Sequence, residues 1–275
     1  MVRDITSYGS NLVVRAYHSS KKETADVVIC LVFLKQVVAM LDAIDELLRA
    51  GAVHAGFLAV RAAFEASLYV QWLMIEEADH KARCYLVGNY RAEREWAKLG
   101  ISGSAERTAF EEKFEIQIDD ALSESGEARL TEIDRVLAID TLAPVNREFT
   151  TKRKKRNQDP EWYQVAGAES IRSIAETLHR SQEYTLIYSK GSNVTHSARY
   201  SDHVGFGQQR AQMKSVRHLG ELKVLIESAV VVAMRTFEAV MRYYRPAELA
   251  ALGRHYAEYW SEPFRNIKTI HYTSS

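Results

Sequence analysis

The fold class is indicated most clearly by residues 54–77, HAGFLAVRAAFEASLYVQWLMIEE. Only Arg61 and Glu65 are charged between positions 55 and 75. A helix that is apolar on nearly every side belongs in the middle of a bundle. The stretch is long enough to cross a bilayer, but two charges near its middle would cost roughly several kcal/mol there. The sequence therefore predicts a buried central helix in a water-soluble bundle and no membrane partner.

Helical patterns on both sides of this stretch complete the expected architecture. Apolar residues recur every three or four positions in residues 23–49, and Gly51 marks the end of that helix. Further helices are expected at 79–99, 104–138 (one or two, broken near 123–126), 170–178, 181–196, 213–244 and 247–260. The other segments are a mixed lead-in at 1–22 with a short helix near 12–17, an irregular basic loop at 139–160, and a tail at 261–275.

These patterns predict an all-α protein, a helical bundle of about seven to nine helices. We expect a single helical domain, residues 1–275, with its core at about 23–245. No long alternating strand pattern is present, and short strands stay open only at 139–150 and in the tail.

Composition and charge exclude several classes of protein. The 275 residues include only 13 Gly and 4 Pro, which argues against a sandwich, barrel or propeller. Basic and acidic residues number 36 each, which excludes a globally basic nucleic-acid binder but allows a local patch. Cys30 and Cys84 lie in apolar helical runs and are expected to be buried. With no CxxC pair and no secretory signal, a cytoplasmic location is expected.

The first candidate site is the pair Arg61 and Glu65. Residues four apart share one face of a helix. Charges among apolar neighbours must be paired or hydrogen-bonded, because their desolvation is costly. Two interpretations stay open. The pair either holds the central helix to a neighbouring helix, or orients a polar group of another helix inside a cleft.

The second candidate site is the stretch YTLIYSKGSNVTHS, residues 184–197. Tyr188, Ser189 and Lys190 precede His196, which is a candidate general acid or base or, alternatively, a hydrogen-bonded structural imidazole. Ser189 and His196 share a face only if the helix continues past Gly191. No GxSxG motif is present, so serine hydrolysis is disfavoured.

Metal and phosphate-loop motifs are weak or absent. The candidate metal ligands are His196 and His203 with Glu65 or Asp202, and two ExxH pairs, Glu77…His80 and Glu176…His179. HExxH, GxxxxGK[ST] and GxGxxG do not occur. We therefore rank a metal-dependent enzyme last, and expect neither a metal nor a cofactor.

A basic run provides the candidate nucleic-acid contact. It consists of Lys152, Arg153, Lys154, Lys155 and Arg156. Such a run indicates either a solvated surface loop or a patch that contacts the phosphates of RNA.

Three segments together resemble a family of bacterial helical proteins of unknown function, DUF5677. They are FLAVRAAFEASLYVQWLM (57–74), EWYQVAGAESIRSIAE (161–176) and YTLIYSKGSNVTHS (184–197). The family pattern is an R-x3-E helix, a segment with a tryptophan, and a Tyr/Ser…His stretch. The matching residues are Arg61, Glu65, Trp162, Tyr188, Ser189 and His196. The resemblance covers roughly residues 30–240 and implies no activity.

A looser resemblance is to the HEPN superfamily, whose nucleases use an R-x4-6-H pattern. That pattern matches Arg49…His54, Arg172…His179 and Arg265…His271, whereas residues 184–197 offer only Lys190-x5-His196. The resemblance implies a metal-independent endoribonuclease of bacterial defence or toxin systems. In that role His196 would be base or acid, Arg61 or Lys190 would stabilise charge, and Ser189 and Tyr188 would position the substrate.

The alternative is a non-catalytic helical module that binds a partner protein or a nucleotide-like ligand. Arg61, Glu65 and His196 would then be a structural polar network. In either case the long apolar C-terminal helix offers a surface for a homo-oligomer.

Overall fold

The computed structural model describes residues 1–153, 158–206 and 211–270. Three quarters of the chain is helical, which confirms the all-α class. The described residues form twelve helices: α1 (Val2–Ser19), α2 (Thr24–Arg49), α3 (Val53–Leu73), α4 (Ala78–Gly100), α5 (Ala105–Phe114), α6 (Ser123–Leu137), α7 (Ala143–Thr151), α8 (Trp162–Val165), α9 (Ile171–Thr177), α10 (181–195), α11 (Leu222–Tyr244) and α12 (249–265). Two short antiparallel strands, β1 (Val204–Phe206) and β2 (Ala211–Met213), form a hairpin.

The chain divides into two compact units, each described by itself. The first unit comprises Met1–Glu77 and Ile171–Ser275, and the second comprises Ala78–Ser170. The prediction of a single domain stays a prediction.

Helix α3 lies at the centre of the first unit, as its composition predicts. It packs against α2, α10 and α11. Phe57, Phe64 and Leu68 are almost completely buried along it. Gly51, in the left-handed region at φ +69°, ends the preceding helix as expected.

Helix α2 is the one helix of the described residues that is long and apolar enough to cross a membrane. Its best window has a mean hydropathy of 2.3, and half of that window is buried inside the protein. The core helix of a water-soluble protein has the same properties. The expectation that no membrane is involved therefore stays a prediction.

Five local expectations are wrong. Residues 2–19 form a full helix, α1, instead of the mixed lead-in expected at 1–22, and its Leu12 and Ala16 are fully buried. Helix α11 begins at Leu222 instead of near Met213, because residues 211–213 pair with residues 204–206. Residues 139–160 contain helix α7, and the two strands lie outside the places left open for them. In the tail, α12 continues to Arg265.

The second unit is built along helix α4. Helices α5, α6, α7 and α8 all contact α4. Its apolar side is buried at Cys84 and Val87, and Phe149 from α7 is also buried. Trp162 at the start of α8 packs edge-on against Tyr85, with 5.5 Å between the ring centroids. The opposite side of α4 is polar.

Both cysteines are buried, as expected. Burial raises the pKa of the Cys30 thiol to about 12, a shift that its hydrogen bond with Tyr244 only partly offsets. Tyr244 also donates a hydrogen bond of 2.8 Å to the buried carboxylate of Asp26. Cys30 is therefore a structural residue of the first unit.

Candidate functional site

Arg61, Glu65 and Tyr188 meet between α3 and α10. The Nε of Arg61 donates to Glu65 Oε1 at 3.1 Å, and Nη2 donates to the Tyr188 hydroxyl at 2.9 Å. A longer contact of 3.4 Å joins Nη1 to Thr195 Oγ1. The guanidinium also lies 4.3 Å from the centroid of the Tyr188 ring. One cation thus connects the central helix to two turns of α10.

The electrostatics of this cluster follow from partial burial. Burial raises the pKa of Glu65, and the attraction of Arg61 offsets only part of that shift. Burial alone lowers the pKa of Arg61, but Tyr188 and Glu65 together raise it above its ordinary value. The pair is about three quarters buried, with side-chain exposures of 22% for Arg61 and 26% for Glu65.

A stacked pair of tyrosines extends the cluster along α10. The rings of Tyr184 and Tyr188 lie 4.6 Å apart at 12° to each other, in a π-helical turn at 184–188. The guanidinium of Arg172, on α9, lies 5.8 Å from the Tyr184 ring. Each tyrosine therefore has a cation against its ring as well as the other tyrosine.

Gly191 explains why α10 can approach α3 so closely. A Cβ at this position would lie 2.5 Å from Cβ of Arg61 and 2.8 Å from the carbonyl oxygen of Phe57. Only a residue without a side chain fits there. The sequence leaves open whether the helix expected at 181–196 continues past Gly191, and α10 does continue through it to Thr195.

The remaining predicted site residues point elsewhere. The ammonium group of Lys190 lies 2.7 Å from Glu221 and 3.8 Å from Asp202, and 5.1 Å from the Phe57 ring. The residue His196 follows the last residue of α10 and is exposed. Within the described residues, the side chains of Ser189 and His196 have no hydrogen bond or ion pair. The catalytic role assigned to these residues stays a prediction.

The candidate metal ligands named from the sequence do not come together into a site in the described residues. Among the described residues, no group of three or more His, Cys, Asp or Glu side chains could hold a metal ion. The ring of His203 lies against His54, with 5.2 Å between centroids, and His80 contacts Cys84 and Glu148. Glu176 and His179 are exposed.

The basic run is only partly described. Lys152 donates to the carbonyl oxygen of Val165 at 2.9 Å, and Arg153 donates to Asp159 at 2.9 Å. Lys154, Lys155 and Arg156 lie outside the described residues, as does His271. The two described members of the run therefore contact groups of the second unit.

Sequence reasoning missed two members of the cluster, Thr195 and Arg172. Thr195 follows Tyr188 by seven residues and Gly191 by four, so a continuous helix places all three on one side. Arg172 lies on a separate helix, and no spacing rule connects it to Tyr184.

The profile of a family of unknown function, DUF5677, matches residues 27–208 of the chain, about two thirds of its length. The chain belongs to DUF5677. No curated protein and no solved structure matches it significantly. The matched segment of this DUF5677 member includes the entire Arg61, Glu65 and Tyr188 cluster. The resemblance drawn from the three sequence segments is confirmed at the level of the family.

The raised pKa of Glu65 predicts a pH-dependent contribution to stability. The folded protein holds a proton on Glu65 more tightly than the unfolded chain does. The contribution of Glu65 to the free energy of unfolding therefore falls as the pH rises above 4.5, the ordinary pKa of a glutamate. Glu65→Gln cannot ionise. We expect the free energy of unfolding of the variant to improve relative to wild type between about pH 4 and about pH 7. Denaturant titrations across this range, with the exposed Glu76→Gln as control, measure the effect. Parallel profiles for wild type and Glu65→Gln would contradict it.

Proposed function

We propose that this chain is a helical module that acts by binding, and that Arg61, Glu65 and Tyr188 form a structural polar network within it. The observation that carries the proposal is the use of the Arg61 guanidinium. It gives its N–H groups to Glu65, Tyr188 and Thr195, all of which belong to the same unit. A cation that is held in this way links α3 to α10.

The positions of the other predicted groups support the same proposal. Acid–base cleavage of RNA needs a base and a charge-stabilising cation at the same phosphate. Here the ammonium of Lys190 lies within 4 Å of two carboxylates, and the imidazole of His196 is exposed. In the part of the chain that the structure describes, neither group has a hydrogen bond to Arg61.

Removing the guanidinium tests the structural role. Arg61→Ala leaves Glu65 partly buried without its cation, and breaking fully buried pairs costs about 3–5 kcal/mol. Since this pair is about three quarters buried, we expect the free energy of unfolding to fall by about 1–3 kcal/mol. The matched control is Arg242→Ala, which breaks an ion pair of the same helical spacing with Glu238, both of whose side chains are exposed. A denaturant titration should show a clearly smaller loss for the control. Equal stability of Arg61→Ala and wild type would remove the proposed network.

A metal-independent ribonuclease of HEPN type is the second candidate. One observation favours it: the contact between Arg61 and Thr195 places the backbone of His196 one residue from the cluster. The test is incubation of the purified protein with total RNA, with and without a chelator. We expect no cleavage above that of a mock purification. Cleavage that disappears in His196→Ala would overturn the binding proposal and establish the nuclease.

A further inference from the structure

The second unit contains a polar cleft of about 730 Å³, a volume typical of small-molecule sites. Helix α4 forms one wall, and the end of α7 with residues 158–162 forms the other. Phe149 and Trp162 supply the apolar part of the lining. All of these residues belong to the same compact unit.

The wall on α4 is a stripe of charged side chains. Arg91, Arg94, Glu95 and Lys98 follow one another at helical spacings of three and four, and all of them line the cleft. The eight residues from Arg91 to Lys98 extend about 10 Å along the helix axis. By sequence alone this stripe is indistinguishable from a solvated helix face.

One end of the stripe is rich in guanidinium groups, with the carboxylates of Asp159 and Glu161 beside them. The carboxylate of Asp159 accepts hydrogen bonds from Arg91, at 2.6 and 2.9 Å, and from Arg153, at 2.9 Å. Burial raises the pKa of Asp159, but the two guanidinium groups outweigh it and the net shift is downward. One ionised carboxylate therefore faces two permanent cations.

Arg94 adds a further guanidinium to the cleft. Its Nε donates to Asp134 at 2.7 Å. In the part of the chain that the structure describes, its two terminal amino groups have no hydrogen-bond partner. A forked pair of N–H donors of this kind suits a phosphate group.

The other end of the stripe carries excess negative charge. The ammonium group of Lys98 lies 3.1 Å from Glu95 and 2.8 Å from Glu106. One cation is thus shared by two carboxylates, which retain lone pairs for additional donors. A ligand that uses both parts of the cleft pairs an anionic group with Arg94 and a hydrogen-bond donor with the two carboxylates.

We propose that this cleft binds a nucleoside monophosphate whose base carries an exocyclic amino group. The phosphate lies at Arg94, near Arg91 and Arg153, and the amino group donates to Glu95 or Glu106. Trp162, which is partly exposed, provides the apolar wall beside the base. The inference rests on the proposed binding function, to which it adds a ligand class and a place on the chain.

Cytidine and uridine monophosphates are a matched pair of probes, because the amino donor of cytosine is replaced by a carbonyl acceptor in uracil. Calorimetric titration of the full chain should show binding of cytidine monophosphate about tenfold tighter than that of uridine monophosphate. Inorganic phosphate alone should bind more weakly than either nucleotide.

Arg94→Gln is the decisive variant. It removes the guanidinium while leaving the arginines around Asp159 in place, so we expect about tenfold weaker binding of cytidine monophosphate. The matched control is Arg129→Gln, which removes a similarly exposed guanidinium paired with Glu93 in the same unit. The control should bind like wild type. Thermal unfolding of both variants verifies that they are folded.

Three results would overturn this inference: no binding of cytidine monophosphate, equal binding by wild type and Arg94→Gln, or no preference over uridine monophosphate. None of these bears on the proposed function, which fails instead if the chain cleaves RNA through His196. The two proposals can therefore fail separately.

Discussion

Arg180→Ala is expected to lower the free energy of unfolding by about 3–5 kcal/mol, the largest effect predicted for a single side chain of this protein. Arg180 is 97% buried at the start of α10. Its Nη1 donates to Ser67 Oγ at 2.8 Å, and its Nε donates to Glu183 at 2.8 Å. Burial lowers the pKa of Arg180, and its partners offset only part of that shift. Removal of the side chain leaves Glu183 without its buried cation.

The same carboxylate provides the control. Arg235 lies 3.4 Å from Glu183 with its own side chain 61% exposed. Exposed pairs contribute roughly 0.2–1 kcal/mol, so Arg235→Ala should have a small effect. Denaturant titration of both variants compares the loss of a buried guanidinium with the loss of an exposed one, both of which contact Glu183. A loss in Arg180→Ala no greater than in Arg235→Ala would contradict the prediction.

The Arg180 contacts also link three helices of the first unit. Ser67 on α3 hydrogen-bonds to Thr236 on α11 at 2.8 Å, and the Arg180 guanidinium lies 4.9 Å from the Phe64 ring. Polar side chains in the core are thus paired with one another. Because unpaired buried polar groups are costly, such pairing favours one arrangement of α3, α10 and α11. The Arg61 network joins two of these helices, α3 and α10, at a different position along them.

Much of the fold could be predicted from apolar spacing. Residues 55–75 contain only two charges, so in water a helix of this composition must be buried on nearly every side. Helix α1 was missed because small residues occupy its buried stripe: Ile5, Gly9, Leu12 and Ala16 recur at the right spacing, but only two of them are large apolar residues. In α7, Pro144 in the first turn and the buried pair Val145 and Phe149 were the signal.

The candidate site was only partly predictable for a physical reason. The spacing of Arg61 and Glu65 fixes their pairing, because it depends on one helix. The position of His196 depends on where α10 ends and how the chain leaves it, which is set by contacts far apart in sequence. Thr195 bonds to the carbonyl of Gly191 and to Arg61, and the helix ends directly after it. The next residue, His196, is exposed.

Gly191→Ala is expected to destabilise the protein by about 3 kcal/mol, the second of the two large effects. A methyl group at this buried position would lie 2.8 Å from the backbone carbonyl oxygen of Phe57 and 2.5 Å from Cβ of Arg61. Neither atom is the flexible end of a side chain, so α10 and α3 must move apart. Their separation also loosens the hydrogen bond between Arg61 and Tyr188.

Gly253→Ala provides a control of opposite sign. Gly253 is exposed in α12, and a Cβ there would meet nothing within 4 Å. Alanine in an open helical position stabilises by about 0.5–1 kcal/mol.

A double variant, Gly191→Ala with Arg61→Ala, then tests whether the close approach of α10 to α3 positions the Arg61 network. Arg61→Ala keeps its Cβ and so retains the two closest contacts, while it relieves the one of 3.1 Å with Cδ and removes contacts that Gly191→Ala has already weakened. The combined loss in a denaturant titration should therefore be smaller than the sum of the two losses by about 1 kcal/mol. Strict additivity would mean that the Arg61 network does not depend on the close contact at Gly191.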